Sequence, residues 1–123
     1  MKHSPAFLKL VEAVMPRIKE ISAEEVVALQ KTGAPFTLID VREDHEFHAG
    51  HIQGAKHMGR GIIERDIEAK IPDKHAKLVL YCGGGFRSAL VADNLQKMGY
   101  NNVESMDGGW KGWTSAGLPV AKG

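Results

Sequence analysis

Cys82 is the only cysteine in the chain, and it opens the run Cys82-Gly83-Gly84-Gly85-Phe86-Arg87-Ser88. Three consecutive glycines allow backbone angles that side chains forbid, so the loop can fold tightly with its N–H groups turned inward. That is a nest for an anion. A thiolate is a sulfur nucleophile, and inward N–H groups together with the cation of Arg87 favour its ionised form at neutral pH. A cysteine serving only as a small buried hydrophobe has no use for a donor-rich loop. The residue types therefore point to nucleophilic chemistry at Cys82 on an anionic substrate, with Gly83, Gly84, Gly85, Phe86, Arg87 and Ser88 as the substrate-binding residues.

The flanking elements must aim this loop. Leu78-Val79-Leu80-Tyr81 reads as a buried strand ending at the cysteine, since its near-continuous apolar character requires cover on both faces. Ser88 to Met98 places Ala89, Leu90, Ala92, Leu95 and Met98 at helical spacing before Gly99. Its N-terminus, with unsatisfied N–H groups and the positive end of the helix dipole, points at the loop.

Strand-like and helix-like segments alternate along the rest of the chain. Ser4-Pro5 begins an N-terminal helix with Phe7, Leu8, Val11, Val14 and Met15 on its apolar stripe. Strands are expected at Arg17 to Ile21, Phe36 to Val41, Ala55 to Met58 and Val103 to Met106. Helices are expected from the Ser22/Glu25 capping box to Gly33, over Glu43 to His48, over Ile62 to Ala69 and over Gly109 to Ser115. This alternation implies right-handed crossovers and a mainly parallel α/β sheet with helices on both faces. In such sheets ligands bind beyond the carboxyl ends of the strands. Cys82 lies at one such end, and Asp40 and Arg42 lie at another. Asp40 is suited equally to holding Arg42 or Arg87 and to capping the following turn.

The 123 residues, 43% of them hydrophobic, suffice for one domain that buries about two thirds of its unfolded surface. Sixteen basic and fifteen acidic residues leave a net charge of +1. No long basic block suggests a nucleic-acid surface. A single cysteine forms no internal disulfide, no apolar leader precedes a small-residue cleavage site, and no run is long enough to span a membrane. A cytoplasmic protein is expected.

Four motifs carry a resemblance. Leu38-Ile39-Asp40-Val41-Arg42-Glu43, Gly50-His51-Ile52-Gln53-Gly54-Ala55, the Cys82 loop through Arg87-Ser88, and Gly108-Gly109-Trp110 with Gly117-Leu118-Pro119-Val120 occur in order between about Met15 and Val120. In this the chain resembles a single-domain rhodanese-like sulfurtransferase. The resemblance implies a five-stranded parallel sheet of order 1-5-4-2-3, with residues 17–123 as the domain and residues 1–16 as a helical extension. It implies that Cys82 takes a sulfane sulfur from thiosulfate or a related small anionic donor as a persulfide. Sulfur then passes to cyanide or to a thiol such as glutathione or a thioredoxin-like protein, and Asp40 and Arg42 support the site. No cofactor is implied, and the assembly expected is a monomer or weak homodimer. Rhodanese-like domains also act as binding or regulatory modules, usually with the cysteine replaced, or as sulfur carriers with little turnover. Phosphatases of the same fold have five residues between cysteine and arginine, whereas here four lie between Cys82 and Arg87. By analogy the smaller loop suits sulfur.

His45, Glu46 and His48 nearly spell a metalloprotease helix, but the histidines are three apart rather than four, so no metal site is expected. His51 is assigned to packing or a hydrogen bond. Trp110 and Trp113 read as core or lid residues, and Phe86 as shaping the pocket mouth or meeting an acceptor protein.

Overall fold

A computed structural model describes residues 3–123 of the chain, so residues 1 and 2 of the expected extension lie outside the described residues. The main sheet consists of β1 (Lys19–Ile21), β2 (Thr37–Asp40), β4 (Lys56–His57), β5 (Leu78–Tyr81) and β6 (Val103–Met106). Its order is β1-β6-β5-β2-β4 with every pair parallel, which is the expected first-fifth-fourth-second-third arrangement. A second, two-stranded antiparallel sheet pairs β3 (His51–Ile52) with β7 (Val120–Ala121). Neither of these two strands is among the expected ones, whereas the equally short β4 falls within the expected Ala55 to Met58.

Alternation along β5 divides the core. Leu78 and Leu80 face a cluster with Ile63 and Ile67 of α4 (Ile63–Lys70) and Val91 and Leu95 of α5 (Phe86–Lys97). Val79 and Tyr81 face the opposite cluster, with Val26 of α2 (Ala23–Thr32) and Trp113 of α6 (Gly109–Ser115). The two helical layers are thus dictated by the period of two within a strand. The expected capping box starts α2, with the Ser22 hydroxyl accepting from Glu25 N–H and the Glu25 carboxylate accepting from Ser22 N–H, both at 3.1 Å. A short helix α3 (Asp44–Ala49) follows β2.

The N-terminal helix α1 (Pro5–Val14) packs on the chain's own core: Val11 and Val14 meet Ala89 and Leu90 of α5. A 3₁₀ turn over Met15–Arg17 replaces the start of the expected first strand. It puts Arg17 Nε and Nη2 at 3.0 and 3.1 Å from the two carboxylate oxygens of Asp93, also on α5. Burial of the two valines dominates, because the Arg17 side chain is 53% exposed and a pair so open to water adds little.

The strand end at Cys82 is held from the far side by α6. Trp110 N–H donates to the Cys82 carbonyl at 2.7 Å and Lys111 N–H to the Gly83 carbonyl at 3.0 Å. These are first-turn N–H groups with no partner inside their own helix. The approach is so close that a Cβ at Gly109 would collide with the Cys82 carbonyl oxygen, and Gly109 also has φ +51°. The helix after the cysteine begins at Phe86, two residues before the expected Ser88, because Gly85 at φ +102° turns the chain directly into it. Two outcomes are expected. Deleting residues before Pro16 should cost about 2–4 kcal/mol of stability by uncovering Ala89 and Leu90, read as a lower thermal midpoint. Gly109→Ala should cost about 2 kcal/mol or more and disturb the Cys82 loop, while Gly112→Ala, whose Cβ meets nothing within 4 Å, should leave the melt unchanged or raised.

Candidate active site

β5 delivers Cys82 at its carboxyl end, 1% exposed, and the loop curls back over the sulfur. Gly85 N–H donates to Sγ at 3.1 Å and Ser88 N–H at 3.4 Å, and the Ser88 hydroxyl lies 3.6 Å away. The N-terminus of α5 therefore converges on the sulfur with real donors, as the glycines and helix pattern anticipate. The Ser88 hydroxyl also donates to Gly85 C=O at 3.2 Å and lies 2.8 Å from the hydroxyl of Ser105 on β6. Ser105 is fully buried and escapes sequence reading, since an isolated serine in a strand announces nothing.

Arg87 is not paired with Asp40. Its Nη1 and Nη2 reach the two carboxylate oxygens of Glu46 on α3 at 2.9 and 3.2 Å. The same Glu46 accepts from Glu43 N–H at 3.0 Å, closing a capping box at the start of α3. One carboxylate thus fixes a helix start and the Arg87 guanidinium. The Arg87 hydrogen bonds hold the Glu46 carboxyl down at about 2. Glu43 is not among the side chains favoured at a helix start, so the Glu43/Glu46 spacing does not announce this box in the sequence.

Asp40 and Arg42 form their own buried unit. Asp40 Oδ1 accepts from Arg42 N–H at 2.9 Å and Nε at 3.0 Å, and Oδ2 accepts from Nη2 at 2.7 Å. Both readings of Asp40 are realised on one partner: it caps the turn and holds Arg42. Arg42 Nη2 further donates to Gly50 C=O at 2.6 Å, and its guanidinium lies 4.7 Å from the Trp110 ring centroid. The unit thus touches Trp110, the residue whose N–H donates to the Cys82 carbonyl. Burial, with Asp40 adding to it, pushes the Tyr81 phenol above its ordinary range, and its neutral oxygen accepts from Ile52 N–H at 3.0 Å.

The histidines gather no metal set among the described residues. His51 stacks on Phe47 with centroids 3.8 Å apart and bonds its carbonyl through Nδ1 at 3.0 Å, satisfying both expected roles. Trp113 is core, its Nε1 donating to Pro119 C=O at 2.9 Å. Phe86 lines a pocket of about 640 Å³ with Cys82, Gly83, Arg87, Arg60 and Lys111. Arg60, Arg87 and Lys111 outnumber Glu46 there, so the pocket favours anions. Because the Glu46 carboxyl is held below its ordinary value, the pair contributes stability fully above about pH 4.5 and loses it as pH falls toward 2. Glu46→Gln should lower stability near neutrality by on the order of 1 kcal/mol. It should also flatten the acid limb of a stability-versus-pH curve between those two values; an unchanged limb contradicts the pairing.

Comparison with known proteins gives a consistent picture. Thiosulfate sulfurtransferase GlpE of Pseudomonas entomophila is 36% identical over 101 residues, covering 82% of this chain and 89% of that protein. GlpE of Haemophilus influenzae strain PittEE is 33% identical over 102 residues, covering 83% and 93%. Among solved structures, the polysulfide-sulfur transferase of Wolinella succinogenes superposes with a TM-score of 0.80 at 28% identity, covering 96% of this chain and 88% of that one. A Rhodopseudomonas palustris protein of unknown function, described as a possible tyrosine phosphatase, superposes at 0.86 and 28% identity, covering 98% of both. The family model of the rhodanese-like domain matches residues 22–116, a span that holds the main sheet from β2 onward and the whole Cys82 loop, and the chain belongs to that family.

Proposed function

We infer that the chain is an enzyme of the thiosulfate sulfurtransferase type, and we propose that it carries sulfur as a persulfide on Cys82. The observation that carries this reading is the convergence of Gly85 N–H and Ser88 N–H on Sγ at 3.1 and 3.4 Å. Donors so placed stabilise negative charge on the sulfur at no reorganisation cost during reaction. The names of the GlpE relatives and of the Wolinella protein supply the reaction class.

The thiolate of Cys82 attacks the outer sulfur of thiosulfate. A new S–S bond forms at Sγ, the old one breaks, and its electron pair departs with sulfite. The N–H groups from Gly83 to Ser88 meet the charge of the donor, of sulfite and then of the persulfide, and Arg87 adds a fixed cation. An external nucleophile then takes the outer sulfur and restores the thiolate. Cyanide gives thiocyanate, and a small thiol or a thioredoxin-like protein gives a persulfide. With Cys82 as the only cysteine, resolution within the chain has no second thiol to use. A reducing cytoplasm, which keeps such a thiol free, suits this chemistry.

The phosphatase description of the Rhodopseudomonas neighbour finds little support here. Only four residues separate Cys82 from Arg87, one fewer than in phosphatases of this fold.

Thiosulfate:cyanide kinetics on folded variants test the proposal. Cys82→Ser should abolish turnover, because a hydroxyl is hardly ionised at neutral pH and attacks sulfur poorly. Arg87→Ala should weaken use of thiosulfate by on the order of 2 kcal/mol, about thirtyfold, partly because it leaves the Glu46 carboxylate facing the anion alone. Arg87→Lys should recover only part, since a point charge lacks the planar fork. Full activity in folded Cys82→Ser removes the mechanism. Absence of turnover in the wild type with every sulfane donor moves the reading to a binding module.

A further inference from the structure

Ser105 belongs to the neighbourhood of Cys82 without lining its pocket. It sits on β6 opposite Leu80 of β5, so strand pairing brings it beside the strand that ends at Cys82. Ser105 and Ser88 are both fully buried, and their oxygens lie 2.8 Å apart. Two buried hydroxyls hold two protons, and each proton needs an acceptor. The Ser88 hydroxyl has Gly85 C=O at 3.2 Å and Sγ of Cys82 at 3.6 Å within its reach. The Ser105 hydroxyl has Ser88 Oγ and no other partner among the described residues. If Ser88 donated to Ser105, the Ser105 proton would be buried with nothing to accept it, which is the costly arrangement. Ser105 therefore donates, and Ser88 accepts.

We propose that Ser105 is a positioning residue for sulfur transfer, which keeps the Ser88 proton directed at Gly85 C=O and Sγ and assists release of the sulfur from Cys82. The proposal rests on the Cys82 persulfide reading and deepens it. A hydroxyl that accepts one hydrogen bond is polarised to donate a stronger one. Ser88 can then turn its proton from the carbonyl to Sγ when the sulfur is charged, as a third donor beside Gly85 N–H and Ser88 N–H. Charge stands on Sγ twice in the cycle, first on the free thiolate and again as the persulfide is discharged. In discharge to cyanide, a bond forms from carbon to the outer sulfur, the bond from Sγ to that sulfur breaks, and its electron pair returns to Sγ. Stabilising this charge acts in opposite directions on the two steps. It makes the thiolate a weaker nucleophile in loading and a better leaving group in discharge.

The test separates the half-reactions by rapid quench and intact mass, loading from thiosulfate and discharge to cyanide, with each rate constant taken from the plateau of its pH profile. Arg60, Arg87, Lys111 and Glu46, the charged groups that border the pocket, are the same in every variant. Ser105→Ala should slow discharge about threefold and leave loading equal or faster, and Ser88→Ala should show the same split more strongly. The double variant should match Ser88→Ala alone, because Ser105 acts through Ser88. Ser105→Thr keeps the hydroxyl on a residue suited to a strand and should restore the ratio of the two rates. A purely structural role would instead slow both half-reactions together. That joint loss, unchanged rates in folded Ser105→Ala, or independent effects in the double variant would overturn the proposal. If Ser105→Ala does not fold, Ser88→Ala decides, since the absence of a split there leaves Ser105 no route to the sulfur. In each of these cases the wild type still loads from thiosulfate and discharges to cyanide. A wild type that never loads would strike the Cys82 reading, and this proposal with it.

Discussion

A loop that turns its N–H groups inward must turn its carbonyls outward, and those carbonyls need partners of their own. This constraint organises the molecule. The outward Cys82 and Gly83 carbonyls are met by Trp110 and Lys111 N–H, the free donors at the start of α6. The inward donors, Gly85 and Ser88 N–H at the start of α5, are then free to face Sγ. Two helix starts divide the work, one serving the sulfur and the other the backbone behind it. The arrangement leaves no room for a side chain at Gly109, where a Cβ would strike the Cys82 carbonyl. It also explains why the loop depends on residues more than twenty positions downstream of Cys82.

The two arginines near the strand ends have separate jobs, and their surroundings show which is which. Arg42 is 3% exposed, bonded to Asp40 and Gly50 and placed over Trp110, so its charge is spent inside the protein. Arg87 is 30% exposed and borders the pocket, so its charge remains available to an anion. Glu46 sets its position. A buried pair such as Asp40 and Arg42 adds little net stability over apolar packing, yet losing one partner leaves a costly uncompensated charge. Its contribution is therefore geometric: it ties β2, the turn at Gly50 and the start of α6 into one frame around the Cys82 loop.

The centre of the sheet was legible in the sequence because β2 and β5 are short, largely apolar runs and the helix before β2 opens on a capping box. The run Leu78 to Tyr81 and the Ser22/Glu25 box fall where expected, and the sheet order follows the family resemblance. The cysteine loop was legible for a similar reason, since glycines and a helix start within a few residues define an anion nest locally. What stayed hidden was non-local. Glu46 meets Arg87 across 41 residues, and Ser105 meets Ser88 across 17, and no local period encodes either meeting. Asp40 was placed at the correct sheet edge, but nothing in its neighbourhood distinguished Arg42 from Arg87 as its partner. The β3–β7 pair escaped because it joins His51–Ile52 to Val120–Ala121 from the far end of the chain, a meeting no local pattern encodes.

The central claim is that the inward donors exist to carry a charged sulfur on Cys82. Intact mass spectrometry of the folded protein after incubation with thiosulfate tests it most directly. The account predicts one added sulfur atom per chain, removed by dithiothreitol and absent from Cys82→Ser. An unchanged mass after thiosulfate, or an added sulfur that persists in Cys82→Ser, would contradict it.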